Sequence, residues 1–165
     1  KDYNQDYFHL NNSNFGGLKG NLYIKQKVVQ DIKIDSDGNV TKKIDVTLTN
    51  PVKADGWLSS IYLNWMLIYV PEGSTLIDKK VYKDFTSGIE LGKDFYAGFG
   101  PTYPLNSSVS TFSYKLPFTL TSGEPYKMLI QKQPGVGEVQ MIIKIYGEVK
   151  KDFKLLFDTQ LSIPY

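Results

Sequence analysis

Apolar and polar residues alternate one by one through short stretches of this chain, and no stretch repeats at helical spacing over three turns. Val40 to Thr49 is the cleanest case: Ile44, Val46 and Leu48 face one way, Asp45, Thr47 and Thr49 the other. A period of two marks a strand with one buried and one wet face, whereas a helix needs a period near 3.6. The alternation recurs at Phe112, Tyr114 and Leu116, at Val139, Met141, Ile143 and Ile145, and from Phe153 to Ile163. Turn formers separate these runs: Asp35-Ser36-Asp37-Gly38-Asn39, Pro71-Glu72-Gly73 and Gln133-Pro134-Gly135. About eight strands at such spacing predict an all-β fold, an antiparallel β-sandwich of immunoglobulin-like type, with a closed β-barrel as the alternative.

The pattern also sets local expectations. Val28-Val29 breaks strict alternation and predicts a bulge or a change of face. Asn64 to Val70 reads as a short apolar strand with Trp65 in the core, and Glu138 to Val149 as one long strand turning at Lys151-Asp152. Residues 1–20 are rich in Asn and Gly and read as a polar lead-in, with a short helix around Asp6 to Leu10 and loop elsewhere. No linker divides the remainder, so residues 21–165 form one domain, long enough to bury a core without a covalent staple.

Composition narrows the chemistry. Cysteine is absent, which excludes disulfides, thiolate metal sites and a Cys nucleophile. The single histidine, His9, excludes a multi-His zinc site. All 19 basic residues are Lys and the net charge is only +2. Without the bidentate fork of Arg, a nucleic-acid partner or a phosphoryl-transfer site is not expected. The densest apolar run, Trp65 to Val70, is too short to span a bilayer. The chain begins Lys-Asp-Tyr and not Met, and is expected to be a segment of a longer protein.

Few residues carry a chemical signal. Asp35 to Asn39 offers oxygen ligands at calcium-like spacing, but lacks the Glu that closes an EF-hand loop and is accounted for by turn chemistry. Carboxylates are numerous, yet nothing in the spacing selects a catalytic pair. An internal Lys–Asn isopeptide crosslink needs a Lys, an Asn or Asp and a catalytic carboxylate buried together; Asp45 and Asn50 lie in or near the strands, but alternation puts Asp45 on the wet face. Aromatic residues cluster instead, over Phe95–Pro104 and around Trp57, Tyr62 and Trp65. Rings on sandwich loops suit a sugar or a protein partner, so Trp57, Tyr62, Tyr96, Phe99 and Tyr103 are the candidate ligand-binding residues. No catalytic residue, metal ligand or cofactor is assigned.

Three stretches carry a resemblance: Asn14-Phe15-Gly16-Gly17 through Ile24, Asn64-Trp65-Met66 through Ser74, and Tyr126 through Gln131-Lys132-Gln133-Pro134-Gly135. In this order they are similar to the C-terminal region of a bacterial family of unknown function, long envelope proteins with an N-terminal membrane helix and a large extracytoplasmic part. The resemblance covers most of residues 10–135. It implies a place on the outer face of the cytoplasmic membrane and supplies no catalytic residues. The expectation is a non-catalytic module that binds cell-wall glycan or another envelope protein, touching no membrane itself. A carbohydrate-binding module, or part of an enzyme of wall polymer attachment or remodelling, is the alternative.

Overall fold

The computed structural model describes residues 5–17, 19–55 and 60–165. Over these residues twelve strands form: β1 (Asp6–Asn14), β2 (Lys25–Ile34), β3 (Asn39–Thr49), β4 (Tyr62–Pro71), β5 (Thr75–Lys80), β6 (Lys83–Glu90), β7 (Lys93–Thr102), β8 (Ser107–Thr119), β9 (Tyr126–Gln131), β10 (Val139–Ile145), β11 (Glu148–Leu155) and β12 (Thr159–Ile163). One short 3-10 turn, Lys19–Leu22, precedes β2. The strands make two six-stranded sheets, β12-β9-β1-β4-β7-β6 and β11-β10-β2-β3-β8-β5. Their apolar faces meet in a single core that includes Phe8, Ile44, Ile68, Phe112, Met128 and Ile143. The two-layer sandwich expected from the alternation is the fold found, and neither sheet closes into a barrel. Its sheets are mixed, not purely antiparallel: β1 runs parallel to β9 and β2 parallel to β10. Both parallel pairs join strands far apart in sequence, so no hairpin signal announces them.

Residues 6–14 are neither helix nor loop. They form β1, in the middle of the first sheet between β9 and β4. Phe8 and Leu10 point into the core, but so do the polar Asp6 and Asn12, which hide the strand pattern. The same effect removes the bulge expected at Val28-Val29. Alternation continues through a buried Gln30, whose amide donates to the Met141 sulfur at 3.3 Å, and Val29 faces outward. The expected long strand from Glu138 to Val149 is a hairpin. It reverses at Tyr146-Gly147, where φ is 53° and 81°, the left-handed pair that a tight β-turn requires. Lys151-Asp152 lies inside β11. The exposed edge strands β5, β6 and β11 carry Lys79, Lys80, Lys83, Lys150, Lys151 and Lys154, which discourage further strand addition.

The β2–β3 turn shows how tightly the ends are built. Gly38 has φ 79° and its carbonyl accepts the Leu120 N–H at 2.9 Å. A Cβ there would lie 2.2 Å from the Leu120 carbonyl oxygen. Gly123 has a similar φ of 87° with nothing near its missing Cβ. Gly123→Ala is therefore expected to cost about 1–2 kcal/mol, the left-handed penalty alone. Gly38→Ala adds a backbone clash and is expected to cost about 3 kcal/mol or more. Urea unfolding of the two variants checks this, and equal losses would refute the proposed contact.

Candidate functional site

The two outer faces of the sandwich differ in chemistry. On the second sheet the outward residues are Lys27, Val29, Asp31 and Lys33 on β2, Thr41, Lys43, Asp45 and Thr47 on β3, and Thr111, Ser113 and Lys115 on β8. This face is wet and internally bonded, with the Thr111 hydroxyl donating to Asp45 at 2.6 Å. On the first sheet the outward residues of β4 are Leu63, Trp65, Leu67 and Tyr69. Beside them on β7 stand Pro101, Phe99, Ala97 and Phe95, each directly across from its partner. Both faces of β4 are thus apolar, the pattern of a strand covered on two sides. Trp65, expected in the core, belongs to this outer row and is partly exposed.

The row is held as one surface. His9, Tyr69 and Phe95 follow one another across β1, β4 and β7, with ring centroids 5.7 and 6.3 Å apart. The Phe95 ring lies over Gly88 of β6, where a Cβ would come within 3.0 Å of it. Only at the border does charge appear: Tyr69 donates to Glu90 at 2.7 Å, and the Lys83 ammonium sits 5.1 Å from the Phe99 ring centroid. His9 Nδ1 lies 3.0 Å from the Gln131 carbonyl, which orients the ring within this surface.

A second feature lies at one end of the sandwich, a cleft of about 310 Å³ lined among others by Asn12, Asn14, Gln26, Tyr62, Gln133 and Glu138. Residues from two distant stretches, around 14–24 and 133–138, meet there. Its wall is an amide relay. Tyr62 donates to Asn64 at 3.1 Å, Asn64 to Asn12 at 2.7 Å, and Asn12 to Gln26 at 3.2 Å. The Gln133 side chain accepts the Asn12 N–H at 2.9 Å and returns a bond to the Asn12 carbonyl at 3.0 Å. The relay joins β1 and β4 of one sheet to β2 of the other and satisfies amides that would otherwise be buried unpaired.

A third cluster is wholly interior. The Lys42 ammonium of β3 reaches the Asp6 carboxylate of β1 at 2.5 Å, and both side chains are 0% exposed. Tyr126 of β9 donates to the same carboxylate oxygen. Burial pulls Lys42 below its ordinary value, against the pull of Asp6, and pushes Tyr126 and Tyr114 well up.

The five candidate residues fall in different places. Tyr62 is buried and forms part of the cleft. Tyr96 is a core residue, stacked on Phe112 at 6.4 Å and donating to the Ser74 carbonyl. Phe99 is in the outward apolar row, and Tyr103 is half exposed in the turn after β7. Trp57 lies outside the described residues. Most of the expected aromatic loop is strand β7, so its rings alternate between core and surface. The Asp35 carboxylate is used by its own turn, accepting the Asp37 and Asn39 N–H groups at 2.9 Å; the Asn39 side-chain amide first, and then these backbone bonds, hold it below the usual carboxylate range. Trp65, Leu67 and Phe95 were missed as site residues because a continuous apolar run does not say whether its second face is covered.

Tyrosines report on this packing. Burial pushes Tyr62 up to about 12. Burial and then nearby carboxylates do the same for Tyr7, Tyr69 and Tyr96, with Asp158, Glu90 and Asp94 the respective neighbours. An unfolded chain loses these protons near pH 10 while the fold retains them. The stability they contribute is present below about pH 10 and is lost as pH rises through 12. Absorbance titration at 295 nm should show Tyr7, Tyr62, Tyr69 and Tyr96 ionising only near pH 12 or with alkaline unfolding. A single transition near pH 10 in folded protein would contradict the packing.

No family model and no curated protein matches this chain. Among solved structures it is similar to a candidate nutrient binding protein from Legionella pneumophila, with 11% identity and a TM-score of 0.48, over 84% of this chain and 54% of that one. It is also similar to an M1 zinc metallopeptidase mutant from Deinococcus radiodurans captured with a peptide substrate, with 8% identity and a TM-score of 0.39, over 86% of this chain and 39% of that one. The chain thus spans about half the length of the first of these proteins and less of the second.

Proposed function

We propose that this chain is a non-catalytic module of a bacterial envelope protein, placed outside the cytoplasmic membrane, that docks another envelope protein through the outer face of its first sheet. The observation that supports this reading is the contrast between the two outer faces, one rich in Lys and Thr, the other an apolar row across β4 and β7. A partly exposed apolar row of this kind on one face of a sandwich is the ordinary signature of a protein-docking site. Leu63 and Leu67 lie between the rings and favour apolar side chains over sugar hydroxyls, and the Tyr69 hydroxyl is already engaged by Glu90. The envelope setting is supported by the family resemblance.

Cell-wall glycan is the second reading, favoured by the amide-lined cleft. Neutral side-chain amides are both donors and acceptors and suit the hydroxyl and acetamido groups of a neutral polar polymer.

Sedimentation of the purified chain with isolated cell wall, and capture of solubilised envelope proteins, separate the two. Leu67→Lys points outward and is expected to keep the fold while weakening protein capture about thirtyfold or more, as for a central interface anchor. Capture that is unchanged in Leu67→Lys would overturn the docking face. Wall binding that soluble glycan competes away, that survives Leu67→Lys and is lost in Gln133→Ala, would establish the second reading in its place.

A further inference from the structure

The interior cluster around Lys42 does more than an ordinary ion pair needs. We propose that Lys42 and Asp6 condense to an intramolecular isopeptide bond, tying β3 of one sheet to β1 of the other, with the Tyr126 hydroxyl as the catalytic acid. The Lys42 nitrogen is 2.5 Å from an Asp6 oxygen, and neither side chain has any solvent exposure. Phe8 walls the site, with its ring centroid 5.5 Å from the Lys42 nitrogen, and the core residues Met128 and Ile44 belong to the flanking strand positions. Tyr126 donates to the same oxygen that Lys42 touches. The other carboxylate oxygen of Asp6 is buried with no hydrogen-bond partner among the described residues, as is the hydroxyl of Tyr114, which stands directly across from Lys42 on β8.

The chemistry balances within the site. In a dry interior the ammonium passes one proton to the carboxylate, giving a neutral amine beside a neutral acid. Burial has already pulled Lys42 toward the amine form. The amine nitrogen then attacks the Asp6 carboxyl carbon. Tyr126 donates its hydrogen bond to the oxygen on which negative charge develops, as a general acid does. The new C–N bond forms, one C–O bond breaks, and the departing oxygen leaves as water with two of the three ammonium protons. The third proton stays on the amide nitrogen. No oxidant, metal or co-substrate enters. Fixing both partners in contact replaces the high reactant concentration that such a condensation needs in solution. Among the described residues Lys42 is the one buried lysine.

Intact mass of the purified chain decides the question. The expected value is about 18 Da, one water, below the mass of the sequence. Trypsin should then fail to cut after Lys42 and should release a branched peptide joining residues 2–19 to 34–43. Lys42→Met should return the mass to that of its sequence, and Tyr126→Phe should leave an uncondensed fraction that converts about a hundredfold more slowly. A wild-type chain at full sequence mass after prolonged incubation overturns the proposal, as does an 18 Da deficit that persists in Lys42→Met. A Tyr126→Phe chain that folds, by circular dichroism, and condenses as fast as wild type removes the acid role from Tyr126.

Discussion

Everything else in the sandwich is arranged around a polar contact in its driest place. Asp6 enters the core from β1, Lys42 from β3 and Tyr126 from β9, and they meet between the sheets with no solvent exposure on the two charged side chains. Taking two charges out of water costs several kcal/mol per ion, and removing one partner would cost about 3–5 kcal/mol because the other is left unpaired. The strands that bear these groups are therefore fixed in register and in depth, since no other alignment brings the pair together. At the N-terminal end of β1 the pair adds to the buried Tyr7 and Phe8 and to the parallel pairing with β9. The amide relay through Asn12, Asn64 and Gln26 does the same for the other end of β1. A strand of modest hydrophobicity is thus held at the centre of a sheet by two polar anchors.

With the interior fixed in this way, the surfaces are free to differ. The second sheet presents Lys, Thr and Asp to water, and its side chains bond to one another. The first presents Leu, Trp, Tyr and Phe over neighbouring strands, with charge only at the rim. The part of such a face left in water offers nothing to the fold, because hydrophobic surface stabilises only when it leaves water. The row runs across β4 and β7 with His9 of β1 at its edge, and the amide-lined cleft differs from it in chemistry.

Where sequence patterns were followed by the fold, the reason is local. The β2–β3 hairpin, its Asp-Gly turn, the inward Ile44, Val46 and Leu48 and the inward Val139, Met141 and Ile143 all rest on alternation and turn chemistry within a dozen residues. Where they were not, a polar residue occupied a core position or a left-handed turn used an unusual residue. Asp6, Asn12, Gln30 and Lys42 look like surface residues by type and are buried because a partner from a distant strand meets them. Tyr146-Gly147 and Leu91-Gly92 turn the chain with a large residue at positive φ, which no simple turn signal marks. Of the candidate site, Phe99 was legible as a surface ring, while Tyr96 was not legible as a core one, because neighbours in a strand point to opposite faces and the strand boundary decides which.

The amino-acid sequence by itself determined that this chain is all-β, layered and built from hairpins, and it excluded thiol chemistry and a histidine-built metal site by composition alone. Those properties depend on residue type and on spacing between near neighbours. Only the tertiary structure decided that residues 6–14 form a central strand, that each sheet contains a parallel pair, that Trp65 faces outward and that Lys42 and Asp6 share a closed interior. Each of these depends on which distant strand lies alongside or opposite, and long-range pairing is set by the packing of the whole core, which no local stretch of sequence contains.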